Sequence, residues 1–126
     1  MRAVDTNVLV RLLARDDPHQ LAAAESFVQA GAWISHLVLM KAVWVLDSVY
    51  AIKAPQLAAC LALLLDHQTL VIQDADVVAS ALAHFRAHPK LGFSDCLILS
   101  VALRAGHFPL GTFDRRLSKL PGTQKL

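Results

Sequence analysis

The chain has 126 residues, 56% of them hydrophobic, and its 12 basic and 10 acidic side chains leave a net charge of +2. That length suits one domain, residues 1–126, with a core that needs no disulfides. The charge is too small to mark a nucleic-acid partner by itself, and no stretch reaches the roughly 20 uncharged apolar residues of a membrane span.

In chain order, Arg2 to Asp5 reads as a short buried strand, and Thr6 to Ala14 as a helix that Thr6 or Asn7 can cap. Arg15-Asp16-Asp17 is a break. Pro18 suits the first turn of a second helix, which runs to about Ala30 and ends at Gly31. Ala32 to Ser35 reads as a second strand and Leu37 to Tyr50 as a long apolar helix. Pro55 opens a helix to about Leu65, and Leu70 to Ile72 is a third strand. Asp74 to His88 is a helix with an aspartate near its positive end. Ser94 to Ala105 is a helix that Ser94 can cap, Pro109 to Thr112 a fourth strand, and Gly122 to Leu126 an edge strand or a frayed tail. Strands alternating with helices argue for a mostly parallel sheet with helices on both faces. The apolar start is broken by Asp5 and Arg11, which makes it a poor signal peptide, so a cytoplasmic protein without a membrane anchor is the simplest expectation.

Among the 10 acids only Glu25 is a glutamate; the aspartates gather at strand ends, loops and helix starts. Asp5 ends the first strand, Asp114 follows the fourth, and Asp95 stands in the first turn of the helix before that strand. In a parallel sheet the carboxyl ends of the strands share one edge, where ligands bind. Carboxylates brought together there repel one another and raise their own pKa values; a hard divalent cation relieves the repulsion. Mg2+ or Mn2+ fits, since both take carboxylates and leave positions for phosphate oxygens. The reaction class this points to is phosphodiester hydrolysis, with the metal polarising the phosphoryl oxygen and activating water. No Gly-rich phosphate loop appears, nor a serine or cysteine nucleophile with an obvious histidine partner.

Asn7 and Thr112 either orient ligands through hydrogen bonds or serve as turn and cap residues. Arg11 and Arg15 share a helix face, and Arg115, Arg116 and Lys119 follow Asp114; these cations either hold RNA phosphates or are solvated surface groups. Trp33 and Trp44 read as core residues, His84 and His88 as surface residues rather than zinc ligands, and Cys60 and Cys96 as reduced core thiols.

Asp5-Thr6-Asn7-Val8-Leu9-Val10-Arg11 resembles the opening motif of PIN-domain ribonucleases, in particular the VapC-type toxins of bacterial toxin–antitoxin pairs. Phe93-Ser94-Asp95 and Thr112-Phe113-Asp114 resemble that family's later acidic motifs, and Val43-Trp44-Val45-Leu46 with Tyr50 also matches. The resemblance covers essentially the whole chain. It implies a three-layer α/β/α sandwich, Mg2+- or Mn2+-dependent endoribonuclease activity, a homodimer, and inhibition by a cognate antitoxin that lays a helix in an apolar groove. It gives Asp5, Asp95 and Asp114 the metal-site roles, with Asn7 and Thr112 in support.

The family pattern has a glutamate just before the Val-Trp-Val-Leu stretch, and here that position is Lys41. Two orientations are open to this lysine. It can snorkel from an apolar helix to water, or its ammonium can enter the acidic site and stand in for the metal. Either way a negative ligand is missing, so the expectation is an impaired nuclease. The alternative function is a catalytically inactive module that binds RNA or a protein partner. A phosphatase with Asp5 as nucleophile is a weaker fit, because no second acid follows two residues on.

Overall fold

Three short strands, β1 (Arg2–Ala3), β2 (Ala32–Ile34) and β3 (Leu70–Ile72), pair in parallel in the order β1-β2-β3. This is the computed structural model of the chain, and it describes residues 1–126. Parallel neighbours need a long crossover. Helices α1 (Thr6–Ala14) and α2 (Pro18–Val28) supply it between β1 and β2, and α3 (His36–Ser48) and α4 (Ala54–Asp66) between β2 and β3. Arg2 pairs with Ala32, and Ile34 with Ile72. The two-residue period of a strand sends Ala32, Ile34, Leu70 and Ile72 inward and leaves Trp33 and Val71 exposed. Helix α1 packs against α2 and α3. Leu9, Val10, Leu39, Leu46 and Leu61 join the sheet residues in the core.

Local chemistry sets the helix ends. The Asp17 side chain accepts from the backbone N–H of Gln20 at 3.0 Å, with Pro18 in the first turn of α2. Ser35 does the same for Val38 at 3.1 Å and so starts α3. Gly31 follows α2 at φ +100°, a left-handed position that favours glycine.

These elements form one compact unit, Met1–Ala75; Asp76–Leu126 forms a second. The second holds nearly all of α5 (Ala75–Ala87), then α6 (Phe93–Arg104), β4 (Leu110–Thr112) and β5 (Thr123–Lys125), with 3-10 turns at Pro89–Leu91 and Leu117–Lys119. Phe85 and Phe93 meet edge to face, with ring centroids 6.1 Å apart. At Gly122, φ is +86°, a left-handed position that favours glycine, and a Cβ would lie 2.7 Å from a Leu103 methyl of α6, which would have to shift.

The architecture is an α/β fold with parallel strands throughout, as the alternation of elements predicts. Several details differ. The fourth strand does not join the sheet of the first three; β4 pairs with the tail strand β5 in a two-stranded parallel sheet of its own. Ser94 lies inside α6, which Gly92 precedes as the cap residue, because the helix begins one residue early at Phe93, a buried anchor. Trp33 and Trp44 are not core: they are 38% and 64% exposed. Cys60 and Cys96 are free thiols, but only Cys96 is core; Cys60 is half-buried. No helix is long and apolar enough to cross a membrane.

Candidate functional site

The predicted acidic residues divide between the two units. Asp5 belongs to the first, Asp95 and Asp114 to the second. The expectation that Asp5 and Asp114 end strands of a single sheet is not met, since β1 and β4 lie in different sheets.

Asp5 occupies the position before α1 with extended backbone, yet its side chain makes no capping hydrogen bond. Neither Thr6 nor Asn7 is the cap residue: Thr6 is buried, and Asn7 is exposed in the first turn. The carboxylate at this helix start is therefore not consumed by the ordinary structural task of such a residue, which Asp17 does perform for α2.

In the second unit, Asp95 lies half-buried in the first turn of α6. Burial first, and then the negative charge of Asp114, push its carboxyl above the ordinary carboxylate range. Thus α6 and the turn after β4 bring these two acids close enough to repel. Asp114 is held by its own neighbours. Its backbone N–H donates to Thr112 Oγ1 at 2.9 Å, and its Oδ1 accepts from the N–H groups of Arg116 and Leu117, each at 2.8 Å. Of the two roles open to Thr112, the structure shows a turn bond that fixes the backbone of Asp114.

The donor set is all carboxylate oxygen, the chemistry of a hard divalent cation. The repulsion between Asp95 and Asp114 is what such an ion offsets. No group of three His, Cys, Asp or Glu side chains in the structure is placed to hold a metal ion. Lys41 lies in the second turn of α3 and is exposed, so of its two orientations the structure has the snorkelling one. The ammonium pairs with no acid of its own unit, and the idea of an internal plug loses its basis. Leu37, Lys41 and Trp44 sit at i, i+4 and i+7 on α3, and all three are exposed, Leu37 by 81%.

The candidate RNA-contacting arginines differ in their surroundings. Arg11 donates from Nη1 to Asp16 Oδ1 at 3.3 Å and to the Tyr50 hydroxyl at 3.0 Å, and from Nε to Gln20. Tyr50 in turn donates to Asp16 Oδ2 at 2.9 Å. Arg15 pairs with Glu25 at 3.3 Å. Arg115 and Arg116 are exposed and absent from the chain's salt bridges, which engage Arg11, Arg15 and Arg104.

A cavity of about 760 Å³ in the first unit, lined by Leu12, Leu13, Ala22, Leu63, Leu64 and polar neighbours including Arg15 and Glu25, contains none of the candidate carboxylates. Sequence reading missed that Phe113 is 80% exposed; its place inside an acidic motif was the available signal.

Comparison with protein-family models matches residues 2–122 to the PIN domain. No curated protein and no solved structure matches the chain.

Proposed function

The chain belongs to the PIN-domain family, a family of nucleases generally dependent on metal, and on that premise we propose that it is an endoribonuclease, the toxin of a toxin–antitoxin pair, impaired by Lys41. The observation that carries this reading is the pair Asp95 and Asp114, two carboxylates left in mutual repulsion beside an exposed turn.

On this reading Asp5, Asp95 and Asp114 are the residues that would hold Mg2+ or Mn2+, and residues 1–126 would act as one domain. When bound, the metal supplies Lewis acidity toward the phosphoryl oxygen and an activated water. The residues of the chain bind and orient. Thr112 fixes the backbone of Asp114, Asn7 stands ready beside Asp5, and Arg115 and Arg116 hold substrate phosphates. Lys41 leaves the site one carboxylate short, which weakens metal binding. A small antitoxin and a second copy of the chain are the expected protein partners. The exposed apolar residues Leu37 and Trp44 support a surface that a partner covers.

Lys41 also favours a second reading, a non-catalytic module that binds RNA or a protein without a metal. RNA cleavage by the native chain and by Lys41→Glu, each with Mn2+ and with EDTA, separates the two. The nuclease reading predicts strong Mn2+-dependent cleavage by Lys41→Glu, little by the native chain and none with EDTA. Equal cleavage by both removes the role given to Lys41; no cleavage by either leaves the binding module. Growth arrest on expressing Lys41→Glu, but not the native chain, tests the toxin role.

A further inference from the structure

Phe113 is 80% exposed, although it stands between two residues whose positions are fixed by hydrogen bonds. On one side, the Thr112 carbonyl accepts from Leu126 N–H at 2.9 Å and Thr112 Oγ1 accepts from Asp114 N–H at 2.9 Å. On the other, Asp114 Oδ1 binds two backbone N–H groups, and the Asp114 carbonyl accepts from Ser118 N–H at 3.0 Å. A phenylalanine on so tightly tied a turn is presented to solvent by the backbone.

A single exposed apolar side chain is ordinary. What sets this one apart is its setting. The segment from Leu110 to Leu126 carries Arg115, Arg116, Lys119 and Lys125, all exposed, against Asp114 as its one acid. No salt bridge engages any of these cations. Lys125 is held beside Thr112 by the register of β4 and β5. A flat ring amid unpaired cations is the combination with which proteins bind single-stranded nucleic acid: the cations follow the backbone, and an unpaired base stacks on the ring. An apolar protein partner would gain the ring but would leave four cations uncompensated, so the charge favours a polyanion.

We propose that Phe113 is a stacking platform for one unpaired base of an RNA strand whose phosphates are held by Arg115 and Arg116, next to Asp114. The inference rests on the ribonuclease reading and deepens it: Phe113 is a positioning residue for the RNA strand. Any base has a face to stack, so the platform selects strandedness before sequence.

The test is the affinity of the full chain for a fluorescein-labelled single-stranded RNA, in EDTA so that nothing is cleaved. Phe113→Ala is expected to weaken binding about tenfold. Phe113→Trp keeps the affinity, whereas Phe113→Leu, apolar but unable to stack, loses it as alanine does. Phe108→Ala, which removes a ring 65% exposed but before the basic segment, leaves binding unchanged. In the native chain, an abasic sugar at one position of the RNA reproduces the loss, and Phe113→Ala adds nothing to it. Native affinity in Phe113→Ala, or rescue by leucine, overturns the platform while the nuclease reading stands. Failure of the native chain to bind RNA at low salt overturns both.

Discussion

The unit Met1–Ala75 engages each of its arginines, whereas Asp76–Leu126 leaves Arg115 and Arg116 without acidic partners. In the first, Arg11, Asp16, Gln20 and Tyr50 close a hydrogen-bonded cluster, Arg15 pairs with Glu25, and Asp17 and Ser35 cap helices. In the second, Arg104 pairs with Asp76, but Asp95 is raised by burial and by Asp114, Arg115 and Arg116 lack acidic partners, and the buried Ser100 hydroxyl has no hydrogen-bond partner. Polar groups that satisfy each other hold a scaffold together; charges left facing like charges await a ligand. On the proposed reading, Arg115 and Arg116 are where substrate phosphates would be held. The first unit has unpaired charges too: Asp5, free of the capping bond at the start of α1, exposed Lys41, and Asp47, Lys53, Asp66 and Asp74, none of which joins a salt bridge.

The largest expected effect concerns the acids. In the Lys41→Glu background, Asp114→Asn reduces Mn2+-dependent RNA cleavage to the EDTA level, while Asp16→Asn leaves it intact. An Asp114→Asn variant that still cleaves would erase the distinction between the two regions. Next come the arginines. Arg115→Ala weakens RNA binding and lowers the slope of log affinity against log salt by about 1. Arg11→Ala lowers the melting temperature by opening its cluster and leaves the salt slope unchanged; the reverse pattern would assign the substrate to the first unit. Ser100→Ala removes an unsatisfied buried hydroxyl and is expected to stabilise the fold by about 1 kcal/mol, as read by denaturant unfolding.

The smallest effect is on pH dependence. The Tyr50 hydroxyl, and to a lesser degree Arg11, hold the Asp16 carboxyl below its ordinary value. A carboxyl lowered in the folded state contributes stability above its unfolded pKa and loses it as pH falls through the folded one. The stability gap between the native chain and Tyr50→Phe therefore narrows as pH drops below 3.8, which acid titration at fixed denaturant can follow.

Much of this was legible beforehand. The pattern gave α1 its bounds Thr6–Ala14 and β3 its bounds Leu70–Ile72, because proline, charge runs and apolar spacing mark those ends without help from tertiary contacts. The partner of β4 was not legible, since a four-residue apolar run carries no record of its neighbour. Nor was the exposure of Trp44. Helix α3 is apolar on both faces, so composition conceals that Leu37, Lys41 and Trp44 form an outward stripe. The capping bond absent from Asp5 and the pairing that engages Arg11 depend on side-chain geometry. Sequence spacing placed Asp5 just before α1 and Arg11 on it but did not show what they touch.

The proposal at the centre of this account is that Asp5, Asp95 and Asp114 would share one divalent ion. Calorimetric titration of Mn2+ into Lys41→Glu, without RNA, tests it most directly. The account predicts a single site that is lost on replacing any one of the three aspartates with asparagine. Unchanged Mn2+ affinity in those three variants, or no binding by Lys41→Glu itself, would contradict it.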